Sequence, residues 1–329
     1  MPPWVRNCWK RRRPPGMENN EMKIVLSAML LAVMLTGTAQ SIVSEDNSKI
    51  VYRQENGEEV TLKKHPKRTV IGYGSFAKVW DLAGGTAVGV PKLKEKDALP
   101  PSMQKLPVTG LPTVPNPEKI ALVKPDLVLL SCKLTRHQAV ASLMRQSGVD
   151  AVCLTYNNYH DFSALLDFFC RLNGKTIRQL PAAAKVTADV EAVCASVKGR
   201  KAPRCAIVFA SAAGFSLESD RTNTGVMVKM LGAENILKKS SRPRMSFSYE
   251  QLLLDDPEVI FIIMMGSHKM LKEKFRNEFM SQPAWKELKA AKSGRVHFLP
   301  TELFLYLPGP DYPKAFRHLK KLLYPEKTK

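Results

Sequence analysis

Six histidines, at positions 65, 137, 160, 268, 297 and 318, are the side chains best suited to metal or proton chemistry, and no two of them stand at HxH or HxxxH spacing. A bare zinc or manganese site, which needs several ligands converging from one helix or hairpin, is not indicated. Five cysteines lie beyond residue 39, Cys132, Cys153, Cys170, Cys194 and Cys205, with no CxxC pair among them. Neither a zinc framework nor a disulfide scaffold follows. Cys132 and Cys153 each end a predicted strand and can be neighbours, but burial as small apolar side chains is the expectation. Ser75 lacks the Gly-x-Ser-x-Gly setting of a hydrolase nucleophile. The run Gly72-Tyr-Gly-Ser-Phe-Ala-Lys-Val79 imitates a kinase glycine loop, yet the chain has neither His-Arg-Asp nor Asp-Phe-Gly to hold a base and magnesium. Tyrosine and methionine side chains offer stacking surface, and an arginine can pair with a carboxylate.

The elements that must position these groups alternate between strand and helix. Two β-prone runs flank Asn56-Gly57, a hairpin signal. Strands are then predicted at 69–72, 87–90, 126–131 and 151–154, with helices at 76–82, 135–146 and 161–172; the proline-rich stretch 91–117 reads as loop. Residues 175–199 are alanine-rich, with Val186, Val190, Val193 and Val197 at helical spacing. They predict one helix of some 18–25 residues, roughly 27–37 Å long, enough to cross between two lobes. Alternation resumes with a strand at 205–210, helices at 224–231, 270–279 and 312–323, and a strand at 296–299. The predicted fold class is α/β: two three-layer α/β/α lobes with mainly parallel sheets, joined by one long helix. The predicted boundaries are an extension and signal segment at 1–39, a first lobe at 40–174, the connecting helix at 175–199, and a second lobe at 200–329.

Parallel sheets bind ligands beyond the carboxyl ends of their strands. That rule nominates Tyr73, Ser75, Lys133 and Tyr156-Asn-Asn-Tyr159-His160 from the first lobe. From the second it nominates Ser219-Asp220-Arg221, Met264-Met265-Gly266-Ser267-His268 and Thr301-Glu302. Tyr156, Tyr159 and Arg221 are the strongest of these.

Met22-Lys-Ile-Val-Leu-Ser-Ala-Met-Leu-Leu-Ala-Val-Met-Leu-Thr-Gly-Thr-Ala39 has the layout of a secretory signal peptide. Cleavage is expected after Ala39, with no cysteine there to be lipidated, so the product is expected free in a periplasm; Met22 or Met17 reads as the natural start. The formal charge is +20; residues 1–39 carry six Lys/Arg and two Asp/Glu, and their removal leaves +16. Such a charge attracts anions. Export argues against nucleic acid and favours a solvated basic surface, an anionic small ligand or an anionic membrane.

One phrase occurs twice: Glu118-Lys-Ile-Ala-Leu-Val-Lys-Pro-Asp-Leu-Val and Glu250-Gln-Leu-Leu-Leu-Asp-Asp-Pro-Glu-Val-Ile. In each, a glutamate precedes a proline by seven residues, an acid follows, and an apolar run begins. Each predicts a short helix stopped by proline and a buried strand, one per lobe of a duplicated molecule.

With Pro66-Lys-Arg-Thr-Val-Ile-Gly72, Leu106-Pro-Val-Thr-Gly110, Leu231-Gly-Ala-Glu-Asn235 and Pro283-Ala-Trp-Lys-Glu-Leu288, these phrases resemble the substrate-binding proteins of bacterial ABC importers for iron–siderophore complexes, haem and cobalamin. The likeness runs from about Val51 to Leu323. It implies a monomeric, non-enzymatic binding protein without intrinsic cofactor, whose ligand is an iron or cobalt chelate delivered to an inner-membrane permease and its ATPase. It also implies that Glu118 and Glu250 dock onto permease arginines. A haem ligand would take its axial group from Tyr73, Tyr159, His160 or His268. The first βα turn, Tyr73-Gly-Ser-Phe-Ala-Lys78, departs from the threonine–glutamate pair common in that family. The alternative reading is an exported tetrapyrrole-handling enzyme or metallochaperone using the same cleft.

Overall fold

A computed structural model describes residues 40–94 and 99–326, apart from the side chain of His268. The predicted signal segment lies outside the described residues. Strands β1 (Ser41–Glu45), β2 (Lys49–Arg53) and β3 (Glu59–Lys63) form an antiparallel meander, turned at Gly57 with φ 85°. The Asn-Gly hairpin is thus where the sequence puts it, and β1 is an added edge strand.

The first α/β unit contains β4 (Thr69–Ile71), α1 (Ala77–Leu82), β5 (Ala87–Gly89), α2 (Pro117–Leu122), β6 (Leu127–Ser131), α3 (Thr135–Gln146), β7 (Asp150–Leu154) and α4 (Tyr159–Leu172). Its sheet is all parallel, in the order β5-β4-β6-β7. Buried β6 is apolar on both faces, as a parallel strand covered on both sides must be. Leu127 and Leu129 pack with Phe162, Leu166 and Phe169 of α4, while Val128 and Leu130 pack with Ile120 of α2 and Val140 and Met144 of α3. Helix α4 starts two residues before the predicted position, because Asn158 caps it by accepting from the His160 and Asp161 amides.

The connecting helix α5 spans Pro181–Ala195, fifteen residues rather than the predicted eighteen to twenty-five. Thr176 and Gln179 close a capping box on a separate 3-10 turn, Ile177–Gln179, and Pro181 opens α5 at its first position, where a missing amide costs nothing. The proline starts the helix, so residues 175–180 of the predicted span lie outside it. At the standard rise α5 is about 22 Å long.

The second unit contains β8 (Arg204–Ser211), β9 (Gly214–Glu218), α6 (Asn223–Met230), β10 (Glu234–Asn235), β11 (Arg244–Ser246), α7 (Tyr249–Asp255), β12 (Val259–Met265), α8 (His268–Phe275), α9 (Pro283–Glu287), α10 (Lys289–Lys292), β13 (Val296–Phe298), α11 (Thr301–Phe304) and α12 (Tyr312–Leu323). Strand β8 is parallel to β12 and β12 to β13, whereas β8, β9 and β11 form an antiparallel run. Strand β8 is the one predicted at 205–210, whereas β9, β11 and the short helices α9 to α11 have no counterpart in the predicted elements. Ile207, Phe209, Phe261 and Ile263 join the same apolar core as Leu127 and Phe162 of the first unit. The opposite face, with Val208, Ile260 and Ile262, packs on Leu252, Phe275 and Trp285. Helix α12 runs back against α5, bracing the crossing.

The duplicated phrase folds alike in both units. Asn116 Oδ1 accepts from the Lys119 amide at 2.9 Å and Ser248 Oγ accepts from the Gln251 amide at 3.1 Å, capping α2 and α7. Lys124 (φ 46°) and Asp256 (φ 38°) then turn left-handed directly before Pro125 and Pro257. A residue before proline is held out of the right-handed helical region, so both helices stop there. The next acid donates its amide to an arginine carbonyl, Asp126 to Arg68 at 3.0 Å and Glu258 to Arg204 at 2.9 Å. The following strands take the same register, Leu127 opposite Thr69 and Val259 opposite Cys205.

Candidate functional site

The candidates lie on rim loops that follow the carboxyl ends of the parallel strands in both units. The turn after β4 carries Tyr73 and Ser75, both half-buried, and leads through a 3-10 turn at Gly74–Phe76 into α1. Tyr73 is held edge-on against Phe76 (centroids 5.4 Å apart) and His137 (6.0 Å). Leu93 closes over this turn so tightly that a Cβ on Gly74 would lie 2.9 Å from its Cδ2. From the second unit, the turn Gly309–Asp311 packs on α1, with Lys78 Cβ 3.7 Å from where a Cβ on Gly309 would stand. The segment carrying Glu302 and Tyr306 leads into this contact. Tyr306 is 66% exposed and was not among the sequence candidates; only its place just beyond β13 marks it.

The structure divides the candidates. Tyr156 and Tyr159, expected to offer stacking faces, are 5% and 7% exposed. The Tyr156 hydroxyl accepts from the Gly309 amide at 3.2 Å, fastening the first unit to the second. Tyr159 stacks edge-on to Tyr312 (5.0 Å) and Phe316 (5.2 Å) of α12. Burial pushes the Tyr156 phenol well above its ordinary value and that of Tyr159 up to about 12, so both stay protonated. These two rings belong to the inter-unit core in this conformation. His160, Arg221, Ser267 and Glu302 are exposed, as is Lys133. Ser267 sits at the N-cap position of α8 without bonding its amides, and the side chain of His268 lies outside the described residues. Met264 is buried, while Met265 is half exposed at the end of β12.

Arg221 is held by its backbone: its amide donates to Ser219 Oγ at 3.2 Å, and Ser219 Oγ in turn donates to the Arg242 carbonyl at 2.7 Å. Its guanidinium makes no ion pair among the described residues, which leaves it available to an anion. Nearby, Tyr312 donates to Asn223 Oδ1 at 2.8 Å. Asn223 Nδ2 and Asn157 Oδ1 are buried without partners among the described residues, polar atoms that a water or ligand group can satisfy.

Of the histidines with described side chains, His137 is the most deeply buried. His137 accepts from the Ser131 amide through Nδ1 at 3.1 Å and reaches the Pro112 carbonyl through Nε2 at 2.9 Å; burial lowers its pKa, and it is a neutral core imidazole. Among the described residues no group of three or more His, Cys, Asp or Glu side chains is placed to hold a metal ion. Two cavities, of about 400 and about 210 Å³, lie at the amino ends of the second unit's parallel strands, by Glu258 and Arg295 and by Arg204 and Asn235. Glu118 and Glu250 are exposed at the second positions of α2 and α7, with no hydrogen bond or ion pair among the described residues.

A family model described as periplasmic binding protein matches residues 70–303. The high-affinity heme uptake system protein IsdE of Staphylococcus aureus is 26% identical over 237 residues, which cover 70% of this chain and 78% of IsdE. Among solved structures, an ABC transporter substrate-binding protein from Listeria monocytogenes superposes with a TM-score of 0.63 at 24% identity, covering 80% of this chain and all of the other. The periplasmic vitamin B12 binding protein BtuF of Vibrio cholerae gives 0.61 at 19% identity, covering 79% and 97%. No helix among the described residues is long and apolar enough to cross a membrane. With two α/β units joined by one helix and a family match that spans both, the chain belongs to the periplasmic binding protein family.

Proposed function

We propose that this protein is the extracytoplasmic binding component of an ABC importer, capturing a metal chelate of the haem, cobalamin or ferric-siderophore class between its two units and passing it to an inner-membrane permease. The observation that carries this reading is the family match across residues 70–303, with a relative named for heme uptake over most of that span. The rim suits such a cargo. Tyr73, Tyr306 and Met265 offer apolar faces from both units, and Arg221 offers a guanidinium to a carboxylate. Ser75, His160, Ser267, His268 and Glu302 complete the candidate contacts. The protein does no covalent chemistry in this reading. It is secreted as a monomer by the segment at 22–39 and needs no lipid anchor. Glu118 and Glu250 dock one on each half of the permease through charge-assisted bonds to arginine.

Haemin, cyanocobalamin and ferric siderophores, titrated against the mature protein by quenching of intrinsic fluorescence, test the reading. At least one is expected to bind with Kd below about 10 μM, near −7 kcal/mol. Arg221→Ala is expected to weaken a carboxylated ligand about tenfold, the worth of one partly exposed charge-assisted bond. Failure of every ligand to bind overturns the proposal.

A further inference from the structure

Leu254 and Leu122, 82% and 79% exposed, are the two most exposed large apolar side chains among the described residues. Leu122 stands four residues after Glu118, and Leu254 four residues after Glu250. Residues i and i+4 of a helix share a face, so each glutamate has a leucine one turn further along its own exposed side. Packing explains the apolar residue midway between glutamate and leucine, not these; Leu253 beside Leu254 is 39% exposed. At the second position after each glutamate, Ile120 and Leu252 are 0% exposed and anchor α2 and α7 on their sheets. That position points about 200° away from the fourth. A lone exposed leucine is ordinary. Two at equivalent places, beside equivalent unpaired carboxylates, on helices with matching caps, exits and strand registers, are a duplicated surface.

Resting on the importer reading above, we propose that Glu118 with Leu122 and Glu250 with Leu254 form two equal two-point contacts. Each matches a cationic group and, one helical turn away, an apolar pocket, present twice on a two-fold symmetric permease. A duplicated surface calls for a partner with two equivalent sites, and the free carboxylates call for a basic one. Seating the leucine also excludes water from the neighbouring ion pair, which strengthens it. The leucine supplies grip that persists in salt, and the glutamate supplies register.

The test uses inner-membrane vesicles from the bacterium that makes the protein, titrated with fluorescently labelled exported protein. Leu122→Ser with Leu254→Ser is expected to weaken vesicle binding about tenfold or more, each single change giving roughly half that loss on a logarithmic scale. Thermal unfolding and chelate affinity are expected to stay as in the unaltered protein, since neither leucine packs in the core. Glu118→Ala with Glu250→Ala serves as the reference for the docking reading. If the glutamate pair loses binding and the leucine pair does not, the leucine contact is overturned and the docking reading stands. If neither pair loses binding, both fall. If leucine-dependent binding appears equally on protein-free vesicles of the same lipids, the surface grips lipid and the permease pocket is overturned.

Discussion

Glu218 is 2% exposed, on β9, and both Nε and Nη2 of Arg244 donate to its Oε1, at 2.9 and 2.7 Å. The guanidinium also lies 3.7 Å over the Phe209 ring. Burial raises the carboxyl above its ordinary range, and Arg244 opposes that rise. A carboxyl raised in the folded state holds its proton more tightly there than in the unfolded chain, so stability falls as pH rises through the raised value. Relative to the native protein, Glu218→Gln is therefore expected to gain as pH goes from about 4 to about 7. Urea midpoints measured across that range check it, and a constant difference would refute it. Residue-scale features of this kind were illegible beforehand, because nothing in Gly214-Phe-Ser-Leu-Glu218 marks a buried acid. Tyr156 and Tyr159 show the converse: a tyrosine after a strand is as suited to a core as to a ligand, and only the arrival of α12 decides between them.

Helix α6 shows how an element aims a site residue. Thr222 caps it by accepting from the Gly225 amide at 3.1 Å, and the Thr222 hydroxyl donates to the Ser219 carbonyl at 3.1 Å. The turn bearing Arg221 is so compact that a Cβ on Gly225 would meet the Ser219 oxygen at 1.9 Å. Helix propensity alone favours alanine there by about 1 kcal/mol. The clash is expected to reverse the sign, so that Gly225→Ala loses about 1–3 kcal/mol by overpacking, measured by chemical denaturation. Regular elements such as α3 and α12 were readable to the residue from periodicity and flanking signals. The antiparallel strands β9 and β11 were not, since short strands of mixed polarity carry no clear period-two pattern.

Across the whole molecule, the two units share one apolar core. Phe162 of α4 lies 5.0 Å from Tyr312 of α12, and the Tyr156 hydroxyl bonds the Gly309 amide. Residues contributed by both units to one core melt together, so the mature protein is expected to unfold in a single calorimetric transition. Tyr312→Ala is expected to cost about 3–5 kcal/mol and lower that transition without splitting it. Two separated peaks would show independent units. The α/β class, the duplicated helix–proline–strand phrase and the equivalence of Glu118 and Glu250 were determined by the sequence alone, because periodicity, proline and capping residues act within a few positions of one another. The closing of α12 on α5, the burial of Tyr156 and Tyr159, and the exposure of Leu122 and Leu254 were decided by tertiary structure. Burial depends on what packs from far along the chain, and no local pattern carries that information.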